Sequence, residues 1–243
     1  MQDLLYSFRA MRRNPAPALV AIVVLALGMG ANTAMFSVVN AVLLNSAPMK
    51  DLKDPDRLVM LWEKNPAMME MIAERMPVAL ENLRGWKAGA RSFEQISAFQ
   101  PGDCAIATAG GGTRPARVEC GSIEPGFLPL LGVQPALGRN FTAADGKTAV
   151  IMSGPAYRAR FGNDPILTGK HLLIDGIDRT VIGVMADSFA MPATYEGTDQ
   201  KKPQVWLPLD LAAQTDLWGR EYTVYARLKP GVTLARARAE MNG

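Results

Sequence analysis

The sequence has few of the residues from which catalytic and metal centres are built. His171 is the only histidine, which excludes zinc sites of the H-E-x-x-H kind, and a triad around it would also need serine and acid partners. No G-x-x-x-x-G-K-[ST] stretch occurs, so the chain itself does not bind nucleotides as P-loop proteins do. Ser153 lacks the glycine that a nucleophile elbow has two residues before its serine. We therefore expect no enzyme activity, cofactor or metal.

A strong charge imbalance is also missing. The formal net charge is +3, and it falls to +1 once residues 1–15, with three arginines and one aspartate, are set aside. A domain that binds nucleic acid carries a pronounced basic patch or stripe. The composition therefore predicts no nucleic acid partner.

Charged residues are absent from residues 16–44, a run of 29 positions without Asp, Glu, Lys, Arg or His. About 20 apolar helical residues cross a bilayer, so we predict a transmembrane helix over residues 16–44. An interfacial helix is expected in residues 1–15, with a frayed tail as the alternative, and a linker in residues 45–56. A cleaved signal peptide is the alternative for the span, but its apolar region would be only about 7–15 residues long.

Basic residues before the predicted span indicate its orientation. Arg9, Arg12 and Arg13 precede the span, whereas lysines and aspartates alternate in residues 50–54. Because positively charged loops stay in the cytoplasm, we expect a cytoplasmic N-terminus. The residues from about 46 onward would then lie on the outer side of the membrane.

The second half of the predicted span contains small and polar residues that favour close helix packing. Such residues let transmembrane helices approach one another and form hydrogen bonds in lipid. A lone anchor needs no such face, so the pattern predicts packing against partner helices, with a chance arrangement as the alternative. The candidate packing residues are Gly28, Gly30, Asn32, Ser37 and Asn40.

The chain has two cysteines, Cys104 and Cys120, and both follow the predicted span. On the outer side of the membrane disulfides persist. A hairpin centred on Gly112 would place the two cysteines opposite each other, within bridging distance. We therefore predict a possible disulfide, and two free thiols in different surroundings are the alternative.

Hydrophobic patterning after the predicted span indicates mixed helices and strands, and hence an α+β fold. The Asp175-Gly176 pair between two β-rich runs is the clearest local signal, because this dipeptide favours a tight hairpin turn. The last predicted helix should lead to another strand, and a missing strand would leave a sheet edge exposed. Strands are predicted at residues 57–63, 148–153, 171–184 (a hairpin), 205–207 and 222–228, and helices at residues 78–90, 124–131, 154–161 and from 234.

Several segments resemble the MacB/FtsX-type permeases of bacterial ABC transporters, specifically those with a MacB-like periplasmic core domain. Residues 25–44 match the first transmembrane helix of that family nearly position by position, and residues 127–139 and 205–209 also fit. Ala186 departs from the proline that the family usually has there, and the cysteine pair is not part of the family pattern. Family members continue with further periplasmic sequence and at least three more spans, so the chain resembles their first part.

The resemblance implies a permease subunit in the bacterial inner membrane with most of this chain in the periplasm. A separate cytoplasmic ATPase would hydrolyse ATP, and the permease would couple hydrolysis to substrate export or to mechanical signalling. Expected partners are that ATPase, membrane lipid, a second permease copy or a paired permease, and a periplasmic adaptor or substrate protein. The alternative is a membrane-anchored scaffold that regulates a periplasmic protein such as a cell-wall hydrolase.

The resemblance also implies a division of residues 57–243 into two mixed α/β lobes. Residues 57–93 and 204–243 would form a porter-like lobe, and residues 94–203 an inserted β-rich lobe. We expect this part of the chain to be marginally stable or aggregation-prone outside the membrane because of the missing strand.

Overall fold

The computed structural model describes residues 52–64, 76–108, 115–192 and 202–242. The predicted span and both segments before and after it, up to residue 51, lie outside the described residues. In the part of the chain that the structure describes, no helix has the length and hydrophobicity needed to cross a bilayer.

The first elements alternate between strand and helix. A 3₁₀ turn, Pro55–Arg57, leads into β1 (Leu58–Leu61), and β2 (Val78–Ala79) leads directly into α1 (Leu80–Gly89). Helix α1 begins two residues later than predicted because Val78 and Ala79 extend along another strand instead. The buried Leu80 and Leu83 place one face of α1 on the core.

The middle of the chain contains most of the strands. They are β3 (Phe93–Thr108), β4 (Ala116–Ile123), β5 (Leu137–Gly138), β6 (Ala149–Met152), β7 (His171–Ile174) and β8 (Ile177–Val184), with α2 (Phe127–Leu131) and α3 (Gly154–Phe161) between them. The predicted hairpin is confirmed, since Asp175 and Gly176 both have positive φ, as this turn type requires. Helix α2 starts three residues later than predicted because the Glu124 carboxylate accepts a hydrogen bond from the Ala98 N–H instead.

The last three elements are β9 (Val205–Pro208), β10 (Arg220–Leu228) and α4 (Leu234–Asn242). Thr233 caps α4 by accepting a hydrogen bond from the Arg236 N–H at 3.3 Å. Strand β10 is buried along most of its length, because it lies between β1 and β3 in the sheet.

The described strands form one sheet in the order β1-β10-β3-β4-β9-β6-β8-β5, while β2 pairs with β10 and β7 with β3 and β8. The pairs β4–β9 and β6–β8 are parallel and the other pairs antiparallel. A mixed α+β fold is therefore confirmed. Strand β3 continues across the predicted lobe boundary, since its first half pairs with β10 and its second half with β4. The two-lobe division stays a prediction.

Three clusters of buried side chains fill the core. One surrounds α2, and its aromatic rings include Phe127, Trp206 and Tyr225. A second surrounds the two cysteines and α3. The third holds α1 and α4 against β10.

Candidate functional site

The residues predicted to form a packing face, Gly28, Gly30, Asn32, Ser37 and Asn40, lie outside the described residues, so their role stays a prediction. Cys104 and Cys120 are joined in a disulfide with their Cα atoms 6.0 Å apart. The predicted register is wrong, because Cys104 faces Val118, two residues before Cys120, and Cys120 faces Gly102. The two cysteines are therefore diagonal neighbours on one face of the β3–β4 ladder.

One well-connected polar site lies where residues 52–57, which we call the junction segment, join the sheet. Leu52 is only 7% exposed and belongs to the core cluster around α2. The N–H of Lys53 donates to the carbonyl oxygen of Leu131 at 3.0 Å. The segment is therefore attached to the end of α2 by both an apolar contact and a main-chain hydrogen bond.

Gly132 makes this attachment possible. It follows α2 with φ +77°, a conformation that glycine adopts without strain. A Cβ atom at this position would lie 2.2 Å from the Cβ of Lys53. The junction segment can therefore approach the end of α2 only because residue 132 has no side chain.

Arg227 links the junction segment to both α2 and β10. Its side chain is buried, and Nε and Nη2 donate to the carbonyl oxygen of Leu130 at 3.1 and 2.6 Å. Nη1 donates to the carbonyl oxygen of Asp54 at 3.1 Å. The last carbonyl groups of a helix lack partners within the helix, and a cation is favourable there. One guanidinium thus satisfies Leu130 and holds Asp54 at the same time.

Arg57 supplies a second, more exposed set of contacts. Its Nε and Nη2 donate to the carbonyl oxygen of Leu228 at 2.9 and 2.7 Å. Nη1 lies 3.3 Å from a carboxylate oxygen of Asp54, and Nη2 contacts the carboxylate of Glu94. We call the contacts of Lys53, Arg57 and Arg227 the junction clamp. They attach the junction segment to α2, to β10 and to the start of β3.

Aromatic packing supports the junction clamp from within the core. The ring of Phe127, on α2, makes an edge-on contact with the ring of Tyr225 at 5.6 Å between centroids. The Tyr225 hydroxyl donates to the carbonyl oxygen of Pro192 at 3.0 Å, and burial raises the pKa of Tyr225. These contacts attach α2 to β10, and β10 to the main chain at Pro192.

Glu63 forms a second buried polar site, at the far end of β1 from the junction segment. Its carboxylate accepts hydrogen bonds from the Ala79 N–H at 2.6 Å, from Asn82 Nδ2 at 2.8 Å and from Arg220 Nε at 2.9 Å. The carboxylate lies at the start of α1, where the helix dipole favours negative charge. These contacts join β1, α1 and β10.

Neither polar site has the composition of a metal centre. Among the residues that the structure describes, no three or more His, Cys, Asp or Glu side chains are grouped closely enough to hold a metal ion. His171 lies on β7 with its Nδ1 3.5 Å from a carboxylate oxygen of Asp178. The arrangement of both sites suits mechanical attachment between elements.

Sequence reasoning did not find the junction clamp. Arg227 was predicted only as part of a strand, and the residues it joins are up to 173 positions apart. The sequence signal that could have indicated the role of Arg227 was its charge, within a predicted strand whose other residues face the core. The end of α2 at residue 131 was predicted, but the approach of Lys53 to Gly132 leaves no mark in the local sequence.

The described part of the chain combines one mixed sheet with four α-helices. The sequence profile of the MacB-like periplasmic core domain matches residues 18–243. The chain belongs to the family that contains this domain, as the resemblance predicted. No curated protein matches the chain in sequence.

Three solved structures share the fold at low sequence identity. The periplasmic region of MacB from Actinobacillus actinomycetemcomitans has 13% identity and a TM-score of 0.56, with 83% of this chain and 86% of that chain covered. A domain of a putative permease from Porphyromonas gingivalis has 18% identity and a TM-score of 0.56, covering 75% and 80%. The extracellular domain of the noncanonical ABC-type transporter YknZ from Gram-positive bacteria has 18% identity and a TM-score of 0.51, covering 75% and 88%.

Proposed function

We propose that this chain is a permease subunit of a bacterial ABC transporter, anchored in the inner membrane by residues 16–44 with its N-terminus in the cytoplasm. A separate ATPase would supply the energy, and the described domain would transmit the resulting motion outside the membrane. Family membership supports this proposal. The junction clamp is the observation that carries its mechanical part.

Transmission of motion requires a stiff connection between the span and the domain. Motion of a span reaches the domain through the residues that follow it, and a loose connection would absorb that motion. Here the chain is held from Leu52 onward by core packing and by hydrogen bonds to α2 and β10. Hydrogen bonds to charged groups contribute about 1.5–3 kcal/mol each. The junction segment should therefore move together with the sheet.

The experiment begins with the full chain purified from membranes of its source. We expect an ABC-type ATPase to copurify with it. A spin label at Ile166→Cys, where the native side chain is 62% exposed, then reports the distance between two copies of the domain. Trapping the ATPase with ATP and vanadate should change that distance.

Arg227→Met tests the junction clamp itself. It should leave ATP hydrolysis in place and reduce the change in distance, because the junction segment loses its buried anchor. Arg236→Met is the matched control, since Arg236 is exposed on α4, and it should behave as the unmodified protein does. Absence of any copurifying ATPase would contradict the transporter proposal and favour a membrane-anchored scaffold.

A further inference from the structure

The disulfide between Cys104 and Cys120 lies inside the domain and not on its surface. The two residues are only 3% and 5% exposed, and both belong to the second cluster of buried side chains. Exchange of a disulfide begins when a thiolate attacks one of its sulfur atoms, so the rate depends on access to that atom. In the folded domain, neither a reductant nor an oxidant reaches the two sulfur atoms unless the cluster opens.

The side chains that surround the disulfide come mostly from elements that follow both cysteines in the chain. Among the buried members of the cluster, β3 and β4 contribute Ile106 and Val118 besides the cysteines. The other buried members lie on β6, α3, β7, β8 and β9, and they are Val150, Met152, Ala156, Tyr157, Leu172, Ile174, Val181, Val184 and Val205. The sulfur atoms therefore stay accessible until residues 149–208 have packed against β3 and β4.

Main-chain hydrogen bonds next to each cysteine also come from these later residues. On β3, the Ala105 N–H donates to the Asp175 carboxylate at 2.8 Å, and the Asp175 N–H donates to the Ala105 carbonyl oxygen at 3.0 Å. On β4, the carbonyl oxygen of Glu119 accepts a hydrogen bond from the Gln204 N–H at 2.8 Å. Ala105 and Glu119 are each adjacent to a cysteine in the sequence. Closure of the cluster therefore also fixes the backbone beside both sulfur atoms.

The two cysteines, in contrast, can meet before the cluster closes. They are 16 residues apart, on the neighbouring antiparallel strands β3 and β4. A hairpin forms in about 1–10 μs, whereas domains dominated by non-local strand pairs fold in milliseconds to seconds. Disulfide formation takes seconds to hours, depending on the oxidant. Only a fast oxidant therefore acts while the hairpin is formed and the cluster is still open.

We propose that the folding chain is a substrate of a protein oxidant that carries a reactive, exposed disulfide, and that the Cys104–Cys120 bond forms before the second cluster closes. A thiolate of the chain attacks the disulfide of the oxidant, and one sulfur of the oxidant leaves as a thiolate. The second cysteine of the chain then attacks the mixed disulfide and releases the oxidant as a dithiol. The chain loses two electrons and two protons, and the oxidant gains them.

The completed bond is structural and does not respond to the redox state of its surroundings. Strained or exposed disulfides are the labile and regulatory ones, and burial excludes this bond from the exposed kind. The burial of the two cysteines carries this inference, which is independent of the proposed function.

The first test varies the moment at which an oxidant is added. The full chain in detergent is unfolded in urea, reduced, and refolded by dilution, and oxidised protein disulfide isomerase is added either at dilution or after refolding. Alkylation of the remaining thiols with a mass tag measures the oxidation. The bond should form at least about a hundredfold more slowly when the oxidant is added after refolding, because the buried core opens only rarely.

Reduction of the native chain is a second test, and it requires no refolding. Dithiothreitol should reduce the Cys104–Cys120 bond at least about a hundredfold more slowly in the folded chain than in the chain unfolded by urea. The same mass tag measures the thiols that appear.

A cysteine pair on the other face of the same ladder is the matched control. Asp103 and Glu119 face each other across β3 and β4, one position before each native cysteine. Asp103 is exposed and Glu119 is half-buried. The control chain carries Asp103→Cys and Glu119→Cys, and its native pair is removed by Cys104→Ala and Cys120→Ala. Its new pair should be oxidised at similar rates in both arms of the first test, and dithiothreitol should reduce it readily in the folded chain.

Three results would overturn the inference. The first is equal oxidation of the native pair in both arms, with near-ultraviolet circular dichroism showing that the reduced chain had folded before the late addition. The second is reduction of the native bond as fast as that of the control pair, which would make it a redox-sensitive bond. The third is oxidation that is no faster with the protein oxidant than with dissolved oxygen alone. Failure of the reduced chain to fold without the oxidant would support the inference, because the bond would then have to precede folding.

Discussion

Replacing Gly132 by alanine should detach the junction segment from α2. The new methyl group would lie 2.2 Å from the Cβ of Lys53 and 3.0 Å from its main-chain nitrogen. Neither atom belongs to the flexible end of a side chain. The segment must therefore move away, and the hydrogen bond from the Lys53 N–H to Leu131 is lost with it.

The expected loss in the free energy of unfolding has two parts, one from the backbone conformation and one from the lost contacts. Alanine in the left-handed region costs about 1–2 kcal/mol, partly offset by the lower entropy of its unfolded chain. The lost main-chain hydrogen bond adds about 1 kcal/mol. Exposure of Leu52, now buried, adds about 1.5–3 kcal/mol.

Gly169 offers a matched control for the backbone part. It has the same φ of +77°, and a Cβ atom there would meet no other atom within 4 Å. Gly169→Ala should therefore lower the free energy of unfolding only by the part that comes from the backbone conformation. The free energy of unfolding should fall by about 2–4 kcal/mol more in Gly132→Ala than in Gly169→Ala.

Thermal unfolding of the full chain in detergent measures this difference. For a domain of this size, 2–4 kcal/mol corresponds to a Tm lower by roughly 5–15 °C. Hydrogen exchange at the Lys53 amide should also become faster in Gly132→Ala alone. Equal Tm values for the two variants would refute the reasoning, because the contact with Lys53 would then contribute nothing.

Three further predictions concern the rest of the domain. Reducing the Cys104–Cys120 disulfide should lower the free energy of unfolding by about 3 kcal/mol, because the unfolded chain is no longer restricted by a loop with a separation of 16 residues. Urea titration measures this loss. The pKa of Asp145 is lowered from 3.8, mainly because its carboxylate accepts a hydrogen bond from Arg139. This pair therefore stabilises the fold above pH 4, and the stabilisation is lost as the pH falls further. Melting curves of the unmodified chain and of Asp145→Asn should therefore converge in acid. Glu63→Gln should destabilise the fold by about 1.5–3 kcal/mol, because a charged acceptor of three hydrogen bonds becomes a neutral amide. A loss below about 0.5 kcal/mol in urea titration would show that the charge of Glu63 does not stabilise the fold.

Local chemistry made part of the fold predictable. The hairpin at Asp175 and Gly176 and the helix Gly154–Phe161 were predicted with their observed bounds. In both places a few adjacent residues determine the backbone, through a two-residue turn and through a capping Ser153 with Gly162 at the other end. Such signals do not depend on the rest of the chain.

Long-range pairing was not predictable in the same way. The glycine-rich sequence before β4 is compatible with several registers, and the observed pairing of β3 with β4 differs from the one predicted for a centre at Gly112. The junction clamp depends on the sheet order, which places β10 beside β1. No local pattern around Arg227 contains that information, so its role emerges only from the assembled sheet.

The position of β10 between β1 and β3 has a consequence for how the chain folds during synthesis. Asp54 is made 173 residues before its partner Arg227, an interval of roughly 10–30 s at ordinary rates of elongation. Until β10 has been made, no strand lies between β1 and the first half of β3 to join them, and the side of β1 that pairs with β10 stays uncovered. Contacts of such high order slow folding. The domain is therefore expected to rely on chaperones until β10 has been made.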